Sequence, residues 1–406
     1  MFRSLLAVAL LALATSVSAQ DKDKEKDKPK PNTLTPKEIA DGWILLFDGE
    51  TTFGWTAGSA AVSDDPKPTP KVKDGALVVV GESKTGTRLH ARAFGDYELS
   101  FEVKRNGPSK ASVGIEVLHR TENGETGSSI SGRVVDTSLC PNAGEWYAFS
   151  VKAGDGPNNT YSYAYTGKDE KPTPTSTRPN PKVKLAYASR LAITLEPGGE
   201  VMLRNIKLRP LNANPLFTGK NLDGWKVNEA DPKRVASKWE VTKDGELSVK
   251  NGPGDLVSEK EFDNFVLQLE CKTNGKALNS GVFFRCIPGQ YQNGYEAQIQ
   301  NAYKDDDRTK PADFGTGAIY RRVPVRKVVS NDNEWFTMTV VADGKHIATW
   351  VNGYQTVDWT DDRKEHENPR NGFRAAKGPI SIQGHDPTTD ILFRNIRIVE
   401  LPAGKK

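Results

Sequence analysis

The stretch YELSFEVK, residues 97–104, alternates apolar and polar side chains at every position. The stretch FVLQLECK, residues 265–272, has the same period. A period of two residues puts apolar side chains on one face of an extended chain and polar side chains on the other. Both stretches are therefore predicted to be strands of antiparallel sheets that bury one face.

Residues 335–359 predict three further strands joined by tight turns. Asp343-Gly344 and Asn352-Gly353 separate three short runs of mainly apolar residues. Asp-Gly and Asn-Gly accept the positive φ angles of hairpin turns, so the runs are expected to form a meander. Long helical periodicity is absent, and short strands with Gly- and Pro-rich turns are typical of a sandwich or jelly roll. The predicted fold class is all-β.

The chain contains an internal repeat that covers a whole domain. Motifs of the first half recur in the same order in the second half: LFDG (46–49) as LFTG (216–219), GW (54–55) as GW (224–225), DGAL (74–77) as DGEL (244–247), EWY (145–147) as EWF (334–336), and RNIK (204–207) as RNIR (394–397). Repetition on this scale indicates duplication of a domain and not a short solenoid repeat. We expect two tandem sandwiches, the first over residues 37–210 and the second over residues 211–402.

The N-terminal residues have the pattern of an export signal. Arg3 gives a positive start, residues 5–14 are apolar, and small residues precede a cleavage point, so residues 1–19 are predicted to be a signal peptide. The apolar run is too short to remain as a membrane anchor. Residues 20–36 alternate acidic residues with Lys and then become Pro-rich, which predicts a disordered tether. The protein is expected to be exported, as a periplasmic or secreted protein.

The charge of the chain argues against two classes of partner. Its 406 residues include 56 Lys and Arg and 52 Asp and Glu, a net charge of +4. No run of basic residues is long enough to follow a phosphate backbone. Nucleic-acid binding and membrane insertion are therefore not expected.

The cysteines do not predict a disulfide framework. There are three, Cys140, Cys271 and Cys286, a low and odd number for an exported protein. Cys271 and Cys286 lie on neighbouring predicted strands, so a pair between them stays open. Burial as free, small apolar residues is the favoured interpretation.

The stretch YEAQIQ puts three polar side chains, Glu296, Gln298 and Gln300, on one strand face. In the neighbouring stretch VFFRCI, the same period puts Phe283 and Arg285 opposite the core. A strand face of this kind is ordinarily exposed to solvent. The alternative is that these side chains line a binding groove.

The second unit contains a further series of motifs: LFTG with GW (216–219, 224–225), NSGVFFR (279–285), GYEAQI (294–299), EW (334–335), WVNG (350–353), GPI (378–380), Gln383, His385 and FRNI (393–396). In this order and spacing they resemble the 3-keto-disaccharide hydrolase domain family, over nearly all of residues 213–401. The resemblance implies a concanavalin-A-like jelly roll whose concave sheet face holds the site. It also implies action on glycosides already oxidised to a ketone at C3.

The first unit resembles a diverged copy of the same family. It keeps the opening motif and the RNI ending, but it has TLEP (194–197) where the second unit has QGHD (383–386). A counterpart of YEAQ (295–298) is not found in it either. The first unit is therefore expected to be a structural or binding partner, and the second unit to be the catalytic domain.

The implied substrate determines the expected chemistry. A ketone at C3 acidifies the C2 hydrogen, so the glycosidic bond breaks by elimination, and water then adds to the unsaturated product. This route needs a base near C2, a donor to the enolate oxygen and an acid for the leaving oxygen. The usual pair of glycosidase carboxylates at a fixed separation is not required. The predicted function is hydrolysis of 3-keto-glycosides or 3-keto-disaccharides.

Three residues are candidates for these catalytic roles. Glu296 is the first candidate for base or acid, and His385 belongs to the side-chain type that exchanges protons near neutral pH. Arg285 is the candidate donor to the enolate oxygen, or the residue that orients Glu296. The alternatives are a surface glutamate, a loop histidine that caps carbonyl groups, and an arginine paired with Glu270. Sugar hydroxyls are expected to bind Gln298, Gln300, Gln383, Asn279 and Asp386.

Cofactor and partners are less defined by the sequence. The sequence identifies no cofactor with certainty, and a divalent cation held by His385 and Glu296 stays open. The ketone implies an upstream sugar 3-dehydrogenase, as a pathway partner only. The family pattern often carries Asp where this chain has Asn301. The competing hypotheses are a non-catalytic carbohydrate-binding jelly roll, which would use the same sheet face, and a purely structural exported protein.

Overall fold

The computed structural model describes residues 30–59, 70–80, 87–106, 113–119, 140, 142–153, 162–166, 173–175, 189–195 and 200–401. The predicted signal peptide and most of the predicted tether lie outside these residues. In the part of the chain that is described, no helix has the length and apolar character needed to cross a membrane.

The described residues of the first sandwich form a short helix and two antiparallel sheets. Its elements are α1 (Pro36–Ala40), β1 (Ile44–Leu45), β2 (Thr56–Ser59), β3 (Lys71–Lys73), β4 (Ala76–Val80), β5 (Thr87–Phe94), β6 (Tyr97–Asn106), β7 (Val113–His119), β8 (Trp146–Ala153), β9 (Ser162–Thr166), β10 (Thr173–Thr175), β11 (Ser189–Leu195) and β12 (Glu200–Pro210). The eight-stranded sheet has the order β10-β9-β8-β6-β12-β4-β3, with β1 beside β12. The four-stranded sheet has the order β2-β5-β11-β7.

The second sandwich has the same plan. Its strands are β13 (Asn214–Pro215), β14 (Trp225–Val227), β15 (Lys238–Val241), β16 (Leu247–Lys250), β17 (Gly254–Phe262), β18 (Phe265–Thr273), β19 (Ser280–Phe284), β20 (Tyr295–Ile299), β21 (Tyr303–Lys304), β22 (Asp307–Pro311), β23 (Phe336–Asp343), β24 (His346–Val351), β25 (Tyr354–Thr360), β26 (Gly378–Gly384) and β27 (Asp390–Glu400). The eight-stranded sheet runs β15-β16-β27-β18-β23-β24-β25, with β13 beside β27, and the five-stranded sheet runs β14-β17-β26-β19-β20. A 3-10 helix spans Pro232–Arg234, and β21 pairs with β22.

The predicted fold class is confirmed: the chain forms two tandem jelly-roll sandwiches of antiparallel strands. The order β8-β6-β12-β4 of the first large sheet matches β23-β18-β27-β16 of the second. The predicted meander is β23-β24-β25, and its second turn holds Asn352 and Gly353 at φ angles of 48° and 75°. The residues that would follow β7 and correspond to β20 lie outside the described part of the first sandwich.

The two large sheets differ in how much of each strand is buried. In β6 the burial alternates along Tyr97–Lys104, as its sequence period predicts. In β18, by contrast, nearly every side chain is buried. Val266 packs into the core cluster of the first sandwich, and the Gln268 side chain donates a hydrogen bond to the Gly42 carbonyl, 2.9 Å away. The first sandwich therefore covers the back of the second sandwich's large sheet.

Trp350 is the central residue of this contact between the sandwiches. Its indole Nε1–H donates to the Leu45 carbonyl at 2.9 Å, and its ring centroid lies 5.9 Å from that of Phe94. At the edge of the same contact, Arg326 forms an ion pair with Asp48 at 2.7 Å. These contacts use the eight-stranded sheet, so they leave the five-stranded sheet of the second sandwich facing away from the first.

The end of the predicted tether is corrected by the structure. Asn32 is buried, and its side chain and backbone exchange hydrogen bonds with Asn205 at 2.8 and 2.6 Å. Thr35 and Glu38 form a capping box at the start of α1. Residues 32–36 therefore belong to the first sandwich, because side-chain capping and a distant asparagine fix a segment that has little apolar surface of its own.

All three cysteines are free and buried. Burial raises the pKa of the Cys140 thiol to about 12, and it also raises the pKa values of Cys271 and Cys286. The interpretation as small apolar residues is confirmed, and the pairing of Cys271 with Cys286 is not found.

Replacing Trp350 tests the contact between the sandwiches. Trp350→Phe removes the indole donor and leaves the buried Leu45 carbonyl unpaired, so we expect a loss of about 1–3 kcal/mol in the free energy of unfolding. Trp350→Ala also removes the ring, and we expect a loss of about 3–5 kcal/mol. Urea unfolding followed by circular dichroism measures both. The matched control is Trp335→Phe, at a half-buried tryptophan, and equal losses at the two positions would contradict this account.

Candidate functional site

The outer face of the five-stranded sheet carries a row of polar side chains. Gln298 pairs with Gly281, and Gln383 pairs with Asp255. The register between β19 and β26 places Gly281 beside Gln383. Paired residues of an antiparallel sheet point to the same face. We call Gln298, Gly281, Gln383 and Asp255 the polar row.

Glu296 lies one row away on β20, opposite Phe283. It is only 8% exposed, and among the described residues its carboxyl group makes no hydrogen bond or ion pair. A Cβ on Gly281 would lie 2.6 Å from Glu296 Oε1, so only glycine leaves room for the carboxyl group over the sheet. Glu296 lines a cavity of about 210 Å³. The sequence prediction that Glu296 and Gln298 share one face agrees with this register.

Burial determines the protonation of Glu296. Its pKa is raised to about 8: loss of solvent is the largest cause, the neighbouring Asp313 acts in the same direction, and the charges of Arg370 and Arg321 oppose the shift. Buried carboxyl groups hold their protons because a low-dielectric environment disfavours the charged form. A carboxyl group with a pKa near the working pH is suited to proton transfer.

Three arginines, Arg321, Arg322 and Arg370, line the cavity beside Glu296. Arg370 donates from Nε and Nη2 to the Gln292 carbonyl, at 3.1 and 2.8 Å. Arg321 contacts the ring of Tyr320, at 5.3 Å from its centroid. Within the described residues, none of the three arginines forms an ion pair with a carboxylate. The wall of the cavity therefore carries positive charge that no carboxylate of the described residues neutralises in an ion pair.

The sequence analysis missed these arginines because an irregular segment places them. Ile319 forms an isolated bridge with Ala297, and the Tyr320 backbone N–H donates to the Glu296 carbonyl at 3.0 Å. This pairing extends the sheet beyond β20 and carries Arg321 to the cavity. The only sequence signal is the Arg-Arg dipeptide at 321–322, which by itself does not indicate a sheet edge.

The predicted role of Arg285 is corrected. Its side chain is fully buried and donates to three carbonyl oxygens, those of Asp263, Gly344 and Arg374, at 2.7, 2.8 and 3.1 Å. The backbone of Arg285 has a φ of 49°, which ends the strand alternation and turns the side chain away from Glu296. The alternative pairing with Glu270 is also wrong, because Glu270 binds Arg394 at 2.7 Å.

His385 and Asp386 lie in the loop that follows β26. His385 Nδ1 and Asp386 Oδ2 are 2.7 Å apart, and both side chains are partly exposed. Ser381 pairs with Phe283 of β19, and Phe283 pairs in turn with Glu296 of β20. His385 is four residues farther along the chain than Ser381. Strand geometry then separates His385 from Glu296 by roughly 13 Å along the strands and roughly 10 Å across them. The two residues share a sheet but are not within hydrogen-bond distance.

The predicted sugar-binding amides have different surroundings. Gln298 Nε2 donates to Asp313 Oδ2 at 3.0 Å, and Asn279 Nδ2 donates to the same oxygen at 2.9 Å. Gln300 uses both ends of its amide, donating to the Ala277 carbonyl and accepting from the Ala302 N–H. Gln298 Oε1 and Gln383 Oε1, in contrast, are buried without a donor in the described structure. These two oxygens of the polar row are therefore acceptors without a hydrogen bond among the described residues.

Asp255 is a site residue that the sequence analysis missed. It is 1% exposed, and its Oδ2 accepts hydrogen bonds from Ser381 Oγ at 2.9 Å and Asn228 Nδ2 at 3.4 Å. Burial raises its pKa to about 6, although these two hydrogen bonds oppose the shift. It lines a second cavity, of about 250 Å³. The available sequence signal was an acidic residue inside the apolar strand β17.

The divalent cation considered for Glu296 and His385 has no ligand cluster in this geometry. Across the described residues, no group of three or more His, Cys, Asp or Glu side chains is placed to hold a metal ion.

The sequence pattern of one family, described as the 3-keto-alpha-glucoside-1,2-lyase-like domain, matches residues 42–209 and 212–399. The chain belongs to this family. A 3-keto-disaccharide hydrolase of Bacteroides thetaiotaomicron is 30% identical over 128 residues, which cover 29% of this chain and 37% of that protein. The match therefore spans little more than a third of that relative.

Solved structures similar to this 3-keto-alpha-glucoside-1,2-lyase-like chain each correspond to about one sandwich. A Parabacteroides distasonis protein described as a candidate glycosyl hydrolase is 27% identical, with a TM-score of 0.37, and covers 47% of this chain and 100% of its own. A carbohydrate-binding module of Bacillus subtilis is 16% identical, with a TM-score of 0.31, and covers 45% of this chain and 98% of its own.

Asn301, two residues beyond the end of β20, is part of a buried hydrogen-bond network. Its Oδ1 accepts from the hydroxyls of Thr316 and Ser330, each at 2.6 Å. Its Nδ2 donates to Asp332 Oδ1 at 3.1 Å. The amide is therefore the form that complements Asp332, and the residue supports the loops behind the site.

Exchanging this amide for a carboxylate tests that interpretation. Asn301→Asp places two carboxylates about 3.1 Å apart in a buried setting, so we expect a loss of about 1–3 kcal/mol in stability at neutral pH. Thermal unfolding at pH 7 measures the loss. The double variant Asn301→Asp with Asp332→Asn restores one donor and one acceptor, and it should recover most of the stability. A double variant no more stable than the single variant would contradict the proposed pairing.

Proposed function

We propose that this chain is an exported carbohydrate-active hydrolase that cleaves 3-keto-glycosides or 3-keto-disaccharides, with its site on the outer face of the second sandwich. Membership of the 3-keto-alpha-glucoside-1,2-lyase-like family supports the substrate class. The observation that carries the proposal is Glu296, a buried carboxyl group that has no hydrogen-bond or ion-pair partner among the described residues, beside three arginines in one cavity. A dehydrogenase that oxidises C3 must supply such a substrate.

Glu296 acts as the base in this proposal. In its ionised form it takes the C2 proton of the 3-keto sugar, and the electron pair forms the enolate of C2 and C3. The enolate then expels the leaving oxygen from C1, which takes a proton from water, and a C1–C2 double bond remains; Glu296 returns its own proton to solvent. Water adds its oxygen to C1 and a proton to C2, so the net reaction is hydrolysis.

Arg321 and Arg370 supply the positive charge for the enolate oxygen, the role first expected of Arg285. C2 and C3 are adjacent atoms, so the base and the donors to the oxygen must share one cavity, as Glu296 and these arginines do. Positive groups fixed where negative charge develops stabilise the transition state. The His385–Asp386 pair follows Gln383 in the direction of β26, to one side of the polar row, where it contacts a distal part of the substrate.

A second candidate function is carbohydrate binding without turnover. The unpaired oxygens of Gln298 and Gln383 favour it, since they would accept hydrogen bonds from sugar hydroxyls without any proton transfer. Release of free keto sugar from a 3-keto-disaccharide by the purified protein separates the two functions.

The role of Glu296 as the base predicts a specific pH dependence. A base acts only when it is ionised, so kcat/KM should rise with pH and level off above about pH 8. Glu296→Gln should lower kcat by about 10²–10⁴-fold, with sugar binding retained. Steady-state kinetics on a 3-keto-glucoside from pH 6 to about pH 9 measures both effects. A rate that falls through the same range would make Glu296 the acid, and full activity of the variant would end the assignment.

Arg321 and Arg285 should respond to substitution in opposite ways. Arg321→Gln is expected to lower kcat by about 10²-fold, with little change in the melting temperature. Arg285→Gln leaves buried carbonyl groups unpaired, so it is expected to destabilise the fold by about 2–4 kcal/mol. Kinetics and thermal unfolding on both variants test this contrast. The account fails if Arg321→Gln keeps the wild-type kcat.

A further inference from the structure

Three buried oxygens of the polar row have no donor in the described structure: Gln298 Oε1, Gln383 Oε1 and Asp255 Oδ1. Native proteins pair nearly all their buried polar atoms, because an unpaired one loses its hydration without compensation. Three such acceptors in one row, on one sheet face, indicate a ligand that presents several donors. Sugar hydroxyls are donors of this kind.

The spacing of the three oxygens fits a chain of sugar rings that crosses the strands. Gln298 and Gln383 are on β20 and β26, two strand spacings or roughly 10 Å apart, and Asp255 is one further spacing of roughly 5 Å beyond Gln383. Between the two glutamines the row contains Gly281, which has no side chain. The carboxyl group of Glu296 lies in the space over Gly281, so the row has an acceptor on either side of this carboxyl group.

The Asp255 end of the row has its own cavity. Lys226, Asn228, Asp255, Gln290, Pro379 and Ser381 are among the residues that line the cavity of about 250 Å³. Ser381 and Asn228 hold Asp255 Oδ2, so Oδ1 is the oxygen that remains for a ligand. Asp255 sits beyond reach of the reacting carbons near Glu296, because three strand spacings separate β17 from β20, roughly 14 Å.

One loop borders both cavities. The Gln292 backbone N–H is close enough to Asp255 to lower the pKa of that carboxyl group, and the Gln292 carbonyl accepts two hydrogen bonds from Arg370. Arg234 packs on the ring of Tyr291, at 4.4 Å from its centroid. The loop thus fixes the position of the Glu296 cavity relative to the Asp255 cavity.

We propose that Asp255, held by Ser381 and Asn228, is the binding residue of a second sugar subsite, which takes the ring on the far side of the scissile bond through its hydroxyl groups. The substrate class of this subsite comes from the proposed function, on which the subsite therefore rests. What the subsite adds is the direction in which the substrate lies on the sheet. The substrate crosses the strands from the Glu296 cavity to the Asp255 cavity. Asp255 contributes to affinity for longer substrates and not to the chemical step.

Binding of uncleaved sugars tests the subsite without any need for turnover. Maltose, cellobiose and trehalose are compared with methyl α- and β-glucoside, by isothermal titration calorimetry on the full chain. None of these sugars carries the C3 ketone. We expect at least one disaccharide to bind the wild type about 10-fold or more tightly than either methyl glucoside, since a second ring adds hydrogen bonds to a charged acceptor.

Asp255→Asn is expected to lower the affinity for that disaccharide by about 10-fold and to leave the affinity for methyl glucoside unchanged. Ser381→Ala should have the same length-dependent effect, but a smaller one. Asp244→Asn, at an exposed turn, is the matched control and should bind like the wild type. Circular dichroism verifies that each variant is folded.

Three outcomes would overturn the subsite. These are wild-type binding by Asp255→Asn, an equal loss for disaccharide and methyl glucoside, and the absence of binding of every disaccharide to the wild type. Failure of the proposed function gives a different result. The wild type then releases no keto sugar from a 3-keto-disaccharide, while the length-dependent loss in Asp255→Asn is still seen.

Discussion

The backbone hydrogen bonds that pair β20, β19, β26 and β17 decide which side chains meet on the outer face of the second sandwich. Side chains alternate between faces, so a slip of one residue in any of these strands would exchange its core residues for its groove residues. Burial of the apolar side chains on the opposite face prevents such a slip. Val282, Ala297 and Ile382 are fully buried on the opposite face. Their burial fixes the register, and the register aligns the polar row.

The candidate site that this register creates lowers the stability of the fold. Glu296 and Asp255 are buried carboxyl groups whose folded-state pKa values lie above their ordinary values, at about 8 and about 6. A carboxyl group of this kind keeps its proton longer in the folded chain than in the unfolded chain. Its contribution to stability therefore falls as the pH rises from the ordinary pKa to the raised pKa. This range is pH 3.8 to about 6 for Asp255 and pH 4.5 to about 8 for Glu296. Unfavourable burial of this kind is typical of functional positions and is tolerated because the surrounding core is large.

Local patterns predicted most of the architecture. The period of two in YELSFEVK and the Asn-Gly turn depend only on neighbouring residues, and both appear in the structure as β6 and the β24–β25 turn. The same reasoning placed Glu296 and Gln298 on one face. It failed at Arg285, where a positive φ stops the alternation that the prediction assumed.

Long-range contacts account for the remaining differences. Asn32 is fixed by Asn205, 173 positions away, although its own segment has the composition of a tether. Arg370 and Arg321 reach the Glu296 cavity from irregular segments, and no periodicity reports the position of such segments. Asp255 was not predicted as a site residue, because a single acidic residue in an apolar strand does not indicate which cavity its side chain lines.

The pairing of the two sandwiches gives the first one a physical role even without a site of its own. β18 buries both of its faces, and the outward face includes Val266 and Gln268, which contact the first sandwich. Trp350 on β24 is 1% exposed for the same reason. A second sandwich alone would expose these residues, and apolar surface of this size favours association. The first sandwich therefore shields the back of the sheet and leaves the front, with the polar row, uncovered. A duplicated domain keeps this role for as long as its packing surface is preserved, and it is free to lose the polar side chains that a second site would need.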